Sequence, residues 1–289
     1  MKIAALVSGL GWHVADLLRA ARSLDIDLRP VHFPRVRAYV NAGRSVVEGE
    51  GVTLNEMDRV LVRMMPPGSL EQVVFRMDAL HRVVASGVPV SNPPRAVEAA
   101  VDKYLSLSLL AARGIPVPST WTGQTADQAQ ANQRNLLHFV FGSEGRGIVR
   151  VSDPDLAWRV ANTLERMGSV LYLQRMIRHP GHDLRAFVLG GRVLGAIRRR
   201  APGSEWRTNV ALGGRAEPCR LDPAVERIAL DAARAVGAEM AGVDLMEDLD
   251  RGQVVVIEVN AVPGWRALSK ATGIDVAASI LSALREAGR

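Results

Sequence analysis

The chain has 289 residues, 48% hydrophobic and 23% charged, enough to bury substantial cores in two or three compact units of a soluble protein. A net charge of +6 raises nucleic acid as a partner, but the basic residues are scattered, aromatics are only 4%, and no zinc-finger or RNA-recognition motif occurs; anionic small molecules fit better. The single cysteine, Cys219, excludes an intramolecular disulfide and suits a reducing cytoplasm, and no apolar run has the length of a membrane span.

The chain opens β-then-α. Ile3 to Val7 reads as a buried strand, Gly9 and Gly11 as a turn, and Trp12 to Ser23 has helical spacing at Val14, Leu17, Leu18 and Ala21. Strands follow at Leu28 to Phe33 and Arg59 to Met64. The Pro66-Pro67-Gly68 turn then leads into a helix from Ser69 to Ser86, where Ser69 and Gln72 can form a capping box. A short strand at Val88 to Ser91 closes a parallel α/β unit near residue 95. One helix is expected from Arg95 to Arg113. A small α+β unit follows: a strand near Thr120, a polar helix from Thr125, strands at Leu136 to Phe141 and Ile148 to Val151, and a helix from Asp153 to Met167. The last part holds strands at Val170 to Gln174, Asp183 to Leu189 and Arg192 to Arg198, with a hairpin turn at Gly190-Gly191. After a polar loop from Arg200 to Arg215 come a helix at Pro223 to Gly237, two further strands and a helix from Asp275. The expected fold class is α/β: an N-terminal parallel domain (1–95), a central α+β subdomain (96–168) and a C-terminal one (169–289).

The chemistry concentrates in the last two strands. Val254 to Asn260 is a β-branched run that ends by presenting Glu258 and Asn260, and residues at i and i+2 of a strand share a face. Asp244, in the strand Met240-Ala-Gly-Val-Asp244, supplies a third oxygen. Asp, Glu and Asn without Cys or His form a hard-cation set, suited to Mg²⁺ held jointly with phosphates. The loop Gly142-Ser143-Glu-Gly145-Arg-Gly147 joins two strands and could cover phosphates with its backbone N–H groups, although it is no Walker loop. Lys103 is one of only three lysines and sits in an apolar helix. Asp183 and Arg185 share a strand face; Arg198 and Arg200 share another, with Arg199 opposite. Arg207 and Asn209 add donors beyond. Arginine forks suit carboxylate and phosphate recognition, while for most single arginines a surface ion pair is the ordinary reading.

Taken in order, Asp102-Lys103, the Gly-rich loop, Gln174, His182-Asp-Leu-Arg185, Arg198-Arg-Arg200, Trp206-Arg-Thr-Asn209, Gly213-Gly214, Ala241-Gly-Val-Asp244 and Ile257-Glu-Val-Asn-Ala-Val-Pro-Gly264 resemble the RimK-like carboxylate–amine ligases of the ATP-grasp superfamily. The resemblance implies two α+β subdomains that hold ATP between them. It also implies amide formation through an acyl phosphate, with Mg²⁺ (or Mn²⁺) as cofactor and a carboxylate-bearing acceptor and an amino acid, glutamate, as partners. By position it makes Asp244, Glu258 and Asn260 the metal ligands, Lys103 a phosphate-binding lysine and Asp183 a nucleotide-site acid. Gln174, Arg185 and Arg199 join the nucleotide site, and Arg207 and Asn209 its phosphate and substrate side. The run Arg63-Met-Met-Pro-Pro-Gly-Ser to Arg76-Met looks like the glutamate ligases of the tetrahydromethanopterin type. Two positions depart: His138-Phe139 stands where the family has Lys-Pro, and Gln174-Arg175 where it commonly has Gln-Glu. A histidine carries only part of a charge at neutral pH. A second reading is therefore a catalytically impaired nucleotide-binding scaffold. Homo-oligomerisation stays open.

Overall fold

The structure is a computed structural model, and it describes residues 1–133, 139–141, 149–151, 153–200 and 215–287. β1 (Lys2–Val7), α1 (Trp12–Ser23) and β2 (Asp27–His32) open the chain. An antiparallel appendage, β3 (Arg37–Asn41), β4 (Arg44–Gly49) and β5 (Val52–Thr53), precedes β6 (Arg59–Val62), α2 (Leu70–Ala85) and β7 (Val90–Ser91). The sheet order is β2-β1-β6-β7 with every pairing parallel, as the alternation of strand and helix implied. The capping box at α2 is complete: Gln72 N–H donates to Ser69 Oγ at 3.3 Å, and Ser69 N–H donates to Gln72 Oε1 at 3.1 Å. The appendage had no expectation from sequence.

The single helix expected over 95–113 is two, α3 (Pro94–Val101) and α4 (Lys103–Ala111). Asp102 takes an extended backbone between them, and its carboxylate caps α4 by accepting from Leu105 N–H at 3.0 Å. The apolar periodicity ran on through the break and hid a good N-cap residue.

β8 (Thr120–Gly123), α5 (Ala126–Gln133), β9 (Phe139–Phe141), β10 (Val149–Val151), α6 (Pro154–Arg166) and β11 (Leu171–Arg175) make an antiparallel sheet, β10-β9-β11-β8, with both helices on it. Small residues let them approach closely: Ala126, Ala129, Ala157 and Ala161 pack with Leu171 and Leu173.

The largest sheet contains β12 (His182–Leu189), β13 (Arg192–Arg200), β14 (Arg215–Cys219), then after α7 (Pro223–Ala235) β15 (Met240–Asp248) and β16 (Gln253–Asn260). Its order is β14-β13-β12-β15-β16, all antiparallel, and α8 (Arg266–Thr272) and α9 (Val276–Glu286) close the chain. Both residues of the β12–β13 turn, Gly190 and Gly191, have positive φ, the conformation for which glycine was expected there.

The two faces of this sheet do different work. Ala186, Val188, Ala196, Val243 and Leu245 face α7, whose Ala229, Ala232 and Ala233 permit close packing. On the opposite face Phe187, Leu189, Ile197 and Met240 join a core shared with β1, α1 and α9. The N-terminal sheet and the C-terminal half thus bury one continuous apolar mass, with Trp265 fully enclosed in it. Asn92 secures this junction. It is fully buried; its Nδ2 donates to the carbonyls of Met240 and Ala261, both at 2.6 Å, and its Oδ1 accepts from the N–H of Glu239 and Met240. One carboxamide therefore fixes the start of β15 against the end of β16.

Candidate active site

The face that is apolar under α9 becomes charged farther along the same strands. Asp183 lies opposite Arg199, Arg185 opposite Asp244, and Asp244 opposite Glu258. These residues line one wall of a cleft of about 1020 Å³, together with Lys103, Gln174, Met246, Ile257 and Asn260. A buried polar array of this kind is stable only when its charges compensate.

They do. Arg199 donates to both Asp183 carboxylate oxygens, Nε at 2.7 Å and Nη2 at 2.5 Å, and its Nη2 lies 3.0 Å from Asp244 Oδ2. Burial opposes the charge on Arg199, but Asp244 and Asp183 outweigh it and hold the guanidinium protonated. Arg185 Nη1 stands 3.4 Å from Asp244 Oδ1. Arg185 occupies space that only a glycine leaves: a Cβ on Gly242 would meet its Nη2 at 2.7 Å. Glu258 opens to the cleft, yet the enclosing walls push its pKa above the usual carboxylate value and Asp244 adds to that; Lys103, Arg185 and Arg199 pull it back down.

A β-bulge sets the aim of this strand. Asp244 pairs with Glu258 while Leu245 pairs with Val256, so Ile257 is the extra residue of β16. Val256 and Val259 consequently both reach the α7 core, although three residues apart, while Ile257, Glu258 and Asn260 all line the cleft. Asn260 Oδ1 accepts from Val262 N–H at 2.8 Å, which fixes the carboxamide and leaves the oxygen a second lone pair.

Two carboxylates and a carboxamide meet at one place, and among the described residues no group of three His, Cys, Asp or Glu side chains could hold a metal alone. The donor set nonetheless fits a hard cation completed by phosphate oxygens. Asp244 Oδ1 is buried and lacks a hydrogen-bond donor among the described residues, the atom such a cation would satisfy. Lys103 enters as the first residue of α4, not from a helix interior as sequence suggested. Gln174 lies at the cleft edge, its Nε2 donating to Thr120 Oγ1 at 3.0 Å. Beside it Arg175 ion-pairs with the fully buried carboxylate of Asp248, so the residue that departs from the Gln-Glu pattern ties the four-stranded antiparallel sheet to β15.

Not every expected residue can be placed. His138, Gly142, Ser143, Gly145, Gly147, Arg207 and Asn209 lie outside the described residues. Conversely, the opposite wall of the cleft was not anticipated: Ser8, Gly9 and Gly11 after β1, His13 of α1, and Arg63 to Met65 after β6. Glycines directly after a parallel strand and before a helix were the available signal, since such sheets bind ligands at the carboxyl ends of their strands. Here His13 Nε2 accepts from Trp265 N–H at 3.1 Å, and burial, then Arg63, lower the ring's pKa to about 4.

The chain is similar to known proteins over most of its length. Residues 100–284 match the RimK-like ATP-grasp domain. A tetrahydromethanopterin:alpha-L-glutamate ligase of Methanosarcina acetivorans is 35% identical over 265 residues, covering 81% of this chain and 82% of that protein. The protein of that name from Methanocaldococcus jannaschii is 30% identical over 278 residues, covering 93% and 92%. Among solved structures, the ATP-grasp ligase PsnB complexed with minimal precursor, Mg and ADP aligns with a TM-score of 0.75 at 19% identity, over 99% of this chain and 98% of that one. A RimK domain ATP-grasp protein from Sphaerobacter thermophilus gives 0.75 at 20% identity, over 98% of each. At that identity the likeness speaks for the fold.

Proposed function

The chain belongs to the RimK-like ATP-grasp family, and we propose that it is an ATP-dependent carboxylate–amine ligase adding L-glutamate to a carboxylate-bearing acceptor. The names of the archaeal relatives favour a reduced pterin of the tetrahydromethanopterin class as that acceptor. The observation that carries this reading is the array of Asp244, Glu258 and Asn260, side by side on β15 and β16 and facing a cleft that also holds Lys103, Arg185 and Arg199. The parts expected from sequence serve as working units once β11, which pairs with β8 and β9, is moved from the third to the second: 1–95 as one wall of the substrate cleft, 96–175 as the cover over the nucleotide, 176–289 as the floor with the metal site.

In this reading Lys103 and the arginines neutralise the triphosphate, and Arg199, held by Asp183, stays charged throughout. Asp244, Glu258 and Asn260 would hold Mg²⁺ (or Mn²⁺), which when bound would supply positive charge against the phosphates. The γ-phosphoryl group passes to the acceptor carboxylate, which makes phosphate the leaving group. The glutamate amine then attacks the acyl carbon, and the bond to phosphate breaks as the amide forms. The protein's own contribution is to align the two substrates inside a walled cleft. The intact metal array favours this over an impaired scaffold, which has no use for it.

The test is ADP release with L-glutamate and tetrahydromethanopterin, for the wild type and Glu258→Gln. The variant keeps shape but loses the metal-binding charge, and turnover is expected to fall at least ~100-fold with the melting temperature maintained. Wild-type turnover in Glu258→Gln, or no ADP release from the wild type, refutes the reading.

A further inference from the structure

The wall of the cleft opposite the metal array is built from the carboxyl ends of two neighbouring parallel strands. β1 runs on through Ser8–Gly11 into α1 and then to β2 on one side, while β6 lies on its other side and runs on into Arg63. The chain therefore leaves these strands in opposite directions, and a crevice at such a switch point is where open α/β sheets take their ligands. Three features there share one preference. α1 is twelve residues long and its N-cap, Gly11, has no side chain to cap it; Val14 and Ala15 N–H donate to the Gly11 carbonyl, so the N–H groups of Trp12 and His13 are left to other acceptors. Nothing lies within 4 Å of where a Cβ on Gly9 or Gly11 would stand, so the loop's face of the cleft is open. Arg63, only 7% exposed, lines the same cleft with Nε and Nη1 lacking partners among the described residues.

Arg63 is also a buried cation with no carboxylate partner among the described residues. Its contacts are the Pro263 carbonyl, to which Nη2 donates at 3.0 Å, and the face of Trp265 at 4.5 Å. Burial lowers its pKa only to about 10, so it remains charged at neutral pH. The nearby acid, Asp16, is engaged by Arg19 and by Trp265 Nε1, and His13 is neutral there. A buried charge is normally matched, and here none of the described residues supplies the matching anion.

We propose that Arg63 and the Ser8–Gly11 turn at the N-terminus of α1 form an anion subsite that holds a non-reacting carboxylate of one of the two substrates. This rests on the ligase reading and extends it. The polyphosphate already has the Lys103, Arg185 and Arg199 cluster across the cleft; one guanidinium and one helix terminus match a single planar carboxylate. Arg63 also grips Pro263, three residues past Asn260, so a substrate anchored here is placed beside the loop that leaves the metal array. The carboxylate has two sources, the incoming amino acid and the acceptor, and the experiment separates them.

Gly11→Asp is the informative variant. The N-cap backbone is extended (φ −79°, ψ −178°) and the position open, so Asp can cap α1 while placing a fixed negative charge in the subsite. Gly11→Asn caps equally well without the charge. Calorimetric titration of each protein, saturated with a non-hydrolysable ATP analogue and Mg²⁺, uses L-glutamate in one arm and tetrahydromethanopterin in the other. Gly11→Asp should weaken one of the two by about tenfold or more and Gly11→Asn by much less, with analogue affinity unchanged and the melting temperature equal or higher. The arm that moves names the source. Arg63→Met should weaken the same arm, at some loss of stability through Trp265 and Pro263. Wild-type protein that binds either ligand, with affinities unmoved in Gly11→Asp, overturns the subsite alone. Wild type that binds the analogue but neither ligand overturns the ligase reading, and the subsite's occupant with it.

Discussion

His13 makes the junction between the N-terminal sheet and the loop after β16 sensitive to pH. Its ring packs edge-on against Trp265, centroids 4.7 Å apart, and its Nε2 must be unprotonated to accept the Trp265 N–H. Burial, then Arg63, and more weakly Arg266, depress its pKa to about 4, with Asp16 pulling the other way. In the unfolded chain the value returns to about 6.5, so between these two pH values the unfolded state binds the extra proton. The stability conferred by neutral His13 is thus complete above about pH 6.5 and is lost as pH falls through about 4. The pKa difference sets an upper bound of about 3 kcal/mol. Solvent screening of a half-buried ring brings the expected loss to about 1–2 kcal/mol. His13→Gln keeps an acceptor for Trp265 and removes the titration. Urea unfolding of both proteins at pH 7.5 and roughly pH 4.5 measures the difference, which subtracts every other titrating pair. A His13 resonance titrating near 6.5 by NMR, or equal pH slopes in the two proteins, refutes the reasoning.

Two further predictions come from the charged wall. Lys103→Ala should raise the dissociation constant of an ATP analogue about tenfold while the melting temperature moves little, because Lys103 stands in the first turn of α4 where a cation gains nothing from the helix dipole; an unchanged constant by calorimetry removes Lys103 from the nucleotide site. Arg199→Met should cost about 3–5 kcal/mol in chemical unfolding, since it strips the bidentate partner from buried Asp183 and one of two cations from Asp244; a loss below about 1 kcal/mol means the pair is not a structural charge centre.

What the sequence disclosed follows from how local the determinants are. The parallel N-terminal sheet, the Gly190-Gly191 turn, the Ser69 cap and the shared face of Asp183 and Arg185 each depend on residues within a few positions of one another. That Glu258 and Asn260 face one way was legible because residues at i and i+2 of a strand share a face, while their use with Asp244 as ligands came from the resemblance and stands as our proposal. The opposite wall was illegible because it is a product of topology. Nothing near Arg63 in sequence says that β1 will be its neighbour or that Trp265 will stack on it, 202 positions away.

The Ile257 bulge shows the same limit at the scale of one residue. Strict alternation over Val254 to Asn260 puts Val256 on the face of Glu258, whereas the structure sends Val256 and Val259 to the α7 core and Ile257 with Glu258 to the cleft. An extra residue in one strand is invisible without its partner's register, because it is defined by two residues opposing one. Its consequence is chemical. Glu258 stays directly across from Asp244, so two carboxylates that repel each other are held side by side with three cations nearby. Burial first and that repulsion next raise the pKa of Glu258, and the repulsion is relieved by whatever positive charge enters between them. A ladder drawn from periodicity alone recovers which polar residues end the strand; the bulge sets Glu258 directly across from Asp244, the arrangement that favours a cation between them.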